Sequence, residues 1–304
     1  MTDVARSPGF VAPINLGEAL RRFRREASPG VCDTGRYRCP YYTWGEGPPL
    51  LLIPGLSDDS RSFLFLVALL ADRFRCIAYD LPAGRGDGAR LGRYTHTDLV
   101  EDAIALLDHV GAGQSYVLGA SFGSTIALAA LRARPGRLPR GVLQGGFARR
   151  SLAPAEVLLA GLARYWPGSM RSLPFRNPVL RHTHGGAFAG RPDDFWQYFL
   201  ARWGSPPIAA VARRALLVHG LDLRPLLAAV RQPVLLVYGE DDPLVGRACG
   251  EELWRGLPNA GRVWLDGCGH NPLFTHPEVL ADVVRQFLTP PCGAEARLAG
   301  CESS

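Results

Sequence analysis

The 304-residue chain contains no lysine; all 34 of its basic residues are arginine. That absence removes Schiff-base catalysis, a phosphate-loop lysine and a Ser-Lys dyad. Uniform arginine use, beside abundant Ala, Gly and Pro, reads as a coding bias. The net charge of +6 is therefore weak support for nucleic-acid binding, and no basic segment is interleaved with stacking aromatics. No C-x-x-C occurs, and the seven cysteines (Cys32, Cys39, Cys76, Cys249, Cys268, Cys292, Cys301) are odd in number. This argues against a zinc site and a disulfide framework and predicts a reducing compartment, the cytoplasm. No apolar run reaches the ~18 residues of a membrane span. The first ten residues, MTDVARSPGF, lack an apolar signal core, so secretion by that route is not expected. No internal repeat is present.

What is there alternates. Short apolar runs at 37–45, 49–55, 75–82, 115–120, 140–148, 233–241 and 262–270 read as strands. Helical patterns fall at 61–74, from Thr95 or Thr97 to His109, at 122–134 and from Pro277 to Leu288. Strands buried on both faces and separated by helices predict an α/β fold, a mostly parallel sheet flanked by helices. The rhythm stops between 149 and 231, a Trp- and Pro-rich helical stretch that reads as an inserted cap. The expected division is an N-terminal extension (1–35), a core (36–148 and 232–289), the cap (149–231) and a disordered tail (290–304). A short helix at 15–27 places Leu16, Leu20 and Phe23 on one side, a narrow stripe expected to dock on the body rather than on a membrane.

Gly119-Ala120-Ser121-Phe122-Gly123 spells G-x-S-x-G. With 35 glycines and 14 serines, about 0.2 such patterns arise by chance, so the pentapeptide alone is weak. Its position adds more: Ser121 lies where a buried strand ends and a helix begins, the edge where ligand chemistry gathers in open α/β sheets. A sharp turn there needs small neighbours, and Gly119 and Gly123 provide them. A serine hydroxyl needs a base, and the base an acid. VLLVYGEDDPLV sets Asp242 just past one strand end, and VWLDGCGHNPLF sets His270 just past another.

These features together resemble the α/β-hydrolase superfamily, in its Ser-nucleophile, esterase-like branch with a helical cap. The resemblance rests on Pro54-Gly55-Leu56 after a strand, DLPAGRG (80–86), GASFG, GEDDP and GCGHNP, in the family's order, from about residue 36 to 288. It implies Ser121 as nucleophile, His270 as general base and then acid, and Asp242 as the carboxylate that orients the imidazole. It also implies an oxyanion hole made by the backbone N–H groups of Leu56 and Phe122. The acid three residues after Gly239 favours Asp242 over Glu240 and Asp241. Two departures stand out: Pro54-Gly55 where many relatives have His-Gly, and Ser124 where glycine is common. A serine at the elbow argues against the branches that attack through a carboxylate.

Other candidates have plainer readings. Asp58 and Asp59 could rim the pocket but read rather as a solvated turn or helix cap, and Asp80 as structural. His276 reads as a helix-start residue, Cys268 as a small filler, and His96, His109 and His219 as ordinary helix or surface residues. His182 and His184 form an H-x-H without a third ligand, so no metal is expected. The cap carries twelve arginines against Glu156, Asp193, Asp194 and Asp222, a net +8 that leaves −2 for the rest. An inward arginine or two would suit an anionic substrate. Its aromatics (Tyr165, Trp166, Phe195, Trp196, Tyr198, Phe199, Trp203) either pack the cap or line an apolar pocket, and packing is favoured. The expected activity is cofactor-independent hydrolysis of a small carboxylic ester, lactone or thioester through an acyl-enzyme. A C–C bond hydrolase, a small peptidase and a non-catalytic ligand-binding receptor stay open, as does acyl transfer if another nucleophile excludes water. No nucleic-acid partner is expected.

Overall fold

The computed structural model describes residues 14–84 and 86–289. The expected disordered tail, with Cys292 and Cys301, lies outside them. Eight strands form one sheet: β1 (Ser28–Asp33), β2 (Arg38–Trp44), β3 (Pro49–Ile53), β4 (Arg75–Tyr79), β5 (Tyr116–Ala120), β6 (Gly141–Gln144), β7 (Val234–Gly239) and β8 (Ala260–Leu265). Their order is β1-β2-β4-β3-β5-β6-β7-β8. β1 pairs antiparallel with β2, and β2 with β4, while every other neighbouring pair is parallel.

The central strands are buried on both faces, so period-2 alternation sorts their side chains between two cores rather than between core and water. Leu51, Ile53, Ile77, Tyr79, Val117 and Leu236 join one core. It is built with the helices α3 (His96–His109) and α4 (Phe122–Ala133). Leu50, Leu52, Cys76, Ala78, Leu118 and Val237 join the other. That one is covered by α1 (Leu16–Glu26), α2 (Leu64–Leu70) and α10 (Pro277–Leu288). α3 begins at Thr95, which forms a reciprocal capping box with Asp98. α1 docks as its stripe predicts: Leu16, Leu20 and Phe23 pack on the second core, and the Phe23 ring meets Tyr42 edge-on at 5.0 Å.

One strand departs from expectation. β1 lies in the stretch read as an extension, so the sheet begins at Ser28 rather than near residue 36. Pro29 and Gly30 hid it, since both are poor strand formers. An edge strand tolerates proline, and Gly30 leaves room for the Tyr41 ring, which a Cβ there would approach to 2.5 Å. The register also sets Cys32 opposite Cys39, both as free buried thiols. A further helix, α9 (Arg247–Gly256), was not expected either.

Between β6 and β7 the chain makes four helices: α5 (Pro154–Ala163), α6 (Arg176–His184), α7 (Asp193–Arg202) and α8 (Ile208–His219). No strand falls among these residues. Aromatic and polar contacts seat this insertion on the sheet's carboxyl edge. Phe195 stacks on Phe65 at 4.3 Å, and Tyr198 Oη donates to the Arg61 carbonyl at 2.8 Å. Asp59 accepts from Ser205 Oγ at 2.7 Å and pairs with Arg202 at 3.3 Å. Asp59 also caps the turn at Ser60–Phe63 by accepting the Arg61 N–H, in line with the cap reading. Among the described residues no helix is long and apolar enough to cross a membrane.

Candidate active site

Ser121 stands at the junction of β5 and α4 with φ 50° and ψ −115°. That is a left-handed backbone for a residue with a Cβ, a strain of ~1–3 kcal/mol that surrounding contacts must hold. They do: Ser121 N–H donates to Gln144 O at 2.7 Å, and the Ser121 carbonyl accepts from Ser124 N at 2.9 Å and Ser124 Oγ at 2.6 Å. Ser124, the departure from the common glycine, is thus a brace for the turn. The glycines do what the turn requires. A Cβ on Gly119 would meet the Gly123 carbonyl carbon and Ser124 Cα at 2.6 Å, and one on Gly123 would meet Pro54 O at 2.6 Å.

His270 follows β8, and Asp242 follows β7. His270 Nε2 lies 2.9 Å from Ser121 Oγ, and His270 Nδ1 lies 2.7 Å from Asp242 Oδ2. A carboxylate only accepts, so Nδ1 carries the proton and Nε2 is free to accept from the serine hydroxyl. The other Asp242 oxygen accepts the N–H groups of Leu244 and Val245 at 2.8 and 2.9 Å. Burial pushes the Asp242 carboxyl up, but the His270 hydrogen bond and charge, with those two N–H groups, outweigh it. The carboxyl is held below its ordinary range. Of the adjacent acids, Asp241 and Glu240 are exposed and do not reach the imidazole; their backbone N–H groups tie the loop to Cys268 O and Leu265 O.

Leu56, Phe122, Ser121 and His270 line one cavity of about 360 Å³. Phe122 opens α4, so its N–H has no helical acceptor. The Leu56 N–H also has no partner among the described residues. Both are available to a ligand oxygen.

Several residues that shape the site carry no local signal in the sequence. Gln144 Nε2 donates to the His270 carbonyl at 3.1 Å. Gly145, at φ 57°, lies against the imidazole, where a Cβ would come within 3.1 Å of Cε1. Arg214 of α8, 4% exposed, donates to the carbonyls of Leu56 (2.8 Å), Leu81 (3.2 Å) and Pro82 (3.3 Å). It binds the segment that bears the Leu56 N–H without a carboxylate in contact. Burial lowers its guanidinium to about 10, and Asp80 and Asp58 only partly offset that.

The remaining candidates separate. Asp58 lines the cavity rather than a solvated turn, and burial, with Asp59 beside it, raises its carboxyl to about 6. Asp80 accepts the Ser60 N–H, a structural role. His96 corrects its plain reading: Nε2 meets Thr125 Oγ1 at 3.0 Å, its ring packs edge-on against Phe122, and burial lowers it to about 4. His182 is exposed and His184 buried in the cavity wall, so the H-x-H points two ways. Among the described residues no group of three or more His, Cys, Asp or Glu converges as a metal would need. Arg150 lines the cavity and has no hydrogen-bond or ion-pair partner among the described residues. Of the insertion's aromatics, Phe195, Trp196 and Phe199 pack the core, Trp203 lines the cavity, and Tyr165 and Trp166 are exposed, so they do neither.

A model of the alpha/beta hydrolase family matches residues 50–283, most of the chain. The chain belongs to that family. It is 29% identical over 254 residues to a pimeloyl-[acyl-carrier protein] methyl ester esterase of Aeromonas hydrophila, covering 81% of this chain and 97% of the relative. It is 28% identical over 272 residues to a 2-hydroxymuconate semialdehyde hydrolase of Pseudomonas putida, covering 83% and 91%. A thermophilic esterase from Thermogutta terrifontis shares the fold at TM-score 0.74 and 24% identity, over 86% of this chain and 98% of that one. Relatives of this α/β hydrolase are thus esterases and other hydrolases.

Proposed function

We propose that this α/β hydrolase cleaves a small carboxylic ester, lactone or thioester through an acyl-enzyme on Ser121, without a cofactor. The observation that carries the reading is the hydrogen-bonded series Ser121 Oγ, His270 Nε2, His270 Nδ1, Asp242 Oδ2 at 2.9 and 2.7 Å, facing the cavity. Ser121 Oγ attacks the substrate carbonyl as its proton passes to His270 Nε2. The oxyanion that forms is met by the N–H groups of Phe122 and Leu56, each such donor contributing ~3 kcal/mol. The bond from the acyl carbon to the leaving oxygen, or to sulfur in a thioester, breaks, and that atom takes the proton from Nε2. Water then attacks the acyl carbon, gives its proton to Nε2, and the Ser121 Oγ–acyl bond breaks with return of that proton. Asp242 holds the tautomer and stabilises the transient imidazolium.

Arg150 supports a substrate with an anionic group. An arginine in the cavity wall with no carboxylate partner offers a charge that such a group would satisfy. The helices of 149–231 act in this reading as a cap that shapes the acyl and alcohol subsites. The free thiols of Cys32 and Cys39, side by side across β1 and β2, fit a reducing cytoplasm.

Labelling with a fluorophosphonate, mapped by mass spectrometry, tests the proposal. An adduct on Ser121, lost in Ser121→Ala, is expected, with turnover of short-chain p-nitrophenyl esters that the variant lacks. Ligand binding without multiple turnover, unchanged in Ser121→Ala, would instead make the protein a receptor.

A further inference from the structure

Apolar side chains scattered singly on a surface are ordinary; a concentration of them is not. Every exposed large hydrophobic residue described falls between 158 and 179, except Val31 and Leu244, and Leu244 lines the cavity. On α5, Leu158, Leu159 and Leu162 are 66%, 68% and 64% exposed while Ala160 is buried. An amphipathic helix normally turns its leucines inward; this one turns them out. Tyr165 and Trp166, which follow α5 in the chain, and Phe175, just before α6, are exposed as well. The patch adjoins the cavity, because Leu152, just before α5, and Val179 of α6 line it, and Val179 is itself exposed.

The charge around this face is predominantly positive. Arg164, Arg171 and Arg181 are exposed and have no ion-pair partner among the described residues. Arg164 lies over the Tyr165 ring at 4.6 Å. Glu156 is the one carboxylate in the sequence between 149 and 192, and its side chain accepts the Ala153 N–H.

We propose that this face docks on a bilayer carrying anionic phospholipid, with the α5 leucines, Tyr165, Trp166 and Phe175 in the interfacial layer and the three arginines at phosphate depth. Leucine, tryptophan and tyrosine beside arginine is the combination that partitions to such an interface. A second copy fits worse: symmetric pairing brings the same patch, and the same uncompensated arginines, against themselves. Docked this way, the cavity mouth opens toward the lipid, and an amphiphilic ester can enter from the membrane side.

Docking does not require catalysis, so the test uses wild type and Ser121→Ala alike. Both are sedimented with vesicles of phosphatidylcholine alone and of phosphatidylcholine with phosphatidylglycerol. Three surface arginines at ~1 kcal/mol each predict a preference of roughly a hundredfold or somewhat more for the anionic vesicles, weakened by salt. Trp emission should shift to the blue on binding, and Trp166→Phe should remove most of that shift. Leu158→Asp with Leu162→Asp should cut partition by at least about tenfold, with turnover of a water-soluble ester unchanged. The proposal is overturned if wild type stays in the supernatant with both vesicles, or if the double variant binds as wild type does. Light scattering that shows a dimer broken by the double variant, without vesicle binding, would assign the face to a second copy. A Ser121→Ala protein that still binds vesicles separates this outcome from any failure of the hydrolase reading.

Discussion

Gly123→Ala turns one close approach into a measurable loss. Gly123 is the second residue of α4 and faces the end of β3. A Cβ there would lie 2.6 Å from Pro54 O and 2.8 Å from the Ile53 carbonyl carbon, and closer still to Ile53 O. Ordinary contact begins at 3.4 Å, so the Ile53–Pro54 backbone must retreat by more than 0.8 Å. The same backbone leads through Gly55 to Leu56. A comparable displacement of the Leu56 N–H stretches a hydrogen bond of ~2.9 Å beyond useful length. Losing one oxyanion donor costs ~10²–10³ in kcat, about 3–4 kcal/mol. Overpacking costs ~1–3 kcal/mol of stability, partly offset by ~1 kcal/mol from replacing a helical glycine. The variant should therefore fold, melt slightly lower, keep KM and lose kcat about a hundredfold or more. Initial rates on a short-chain ester, beside urea unfolding, read both quantities. A folded variant with kcat within about threefold of wild type would refute the assignment of the Leu56 N–H to the oxyanion site.

Three further outcomes follow. Asp242→Asn should lower kcat by ~10³–10⁴, whereas Asp241→Asn should change it by less than about threefold, because only Asp242 reaches Nδ1; equal losses in steady-state rates would reassign the acid. Asp58 gains a proton affinity on folding: burial, with Asp59 beside it, raises its carboxyl from 3.8 to about 6, so its contribution to native stability is fully present below pH 4 and is lost as pH rises through 6. Asp58→Asn should abolish that decline and raise stability at pH 8 by up to about 3 kcal/mol, read by urea unfolding at pH 4 and pH 8; a variant no more stable at pH 8 would place the carboxylate in a more polar setting. Arg214→Met should lower kcat more than it raises KM, since Arg214 binds the Leu56 carbonyl and not the substrate, and should cost ~2–4 kcal/mol of stability; a change confined to KM would make it a substrate contact instead.

The legible parts of the protein were those whose cause is local. Leu50–Ile53 and Val234–Tyr238 announce buried strands because both of their faces are apolar and glycine or proline bounds them. Gly119 and Gly123 mark a turn that only small residues permit. The sequence spacing of Ser121, Asp242 and His270 from strand ends was enough to set His270 within 3 Å of both Ser121 and Asp242. The parts that stayed hidden depend on distant chain. β1 is a strand because β2 lends it a partner, not because Pro29 and Gly30 favour extension. Gln144 supports the His270 carbonyl across 126 residues, and Arg214 meets Leu56 across 158. Composition gave the insertion its aromatics and arginines but not their directions. The exposure of Tyr165 and Trp166, the inward turn of Arg150 and the burial of Arg214 are all decided by how α5 to α8 rest on the sheet.

The same Arg214 limits how the insertion can open. Its guanidinium is bound by carbonyls of the Leu56 segment and of Leu81–Pro82, and its Nε has no partner among the described residues. Lifting α8 would strip three charge-assisted bonds from a cation far from water, a steep toll for each visit of a substrate. α8 is therefore a fixed hinge post. α5 packs along α8, so it is anchored through the same guanidinium.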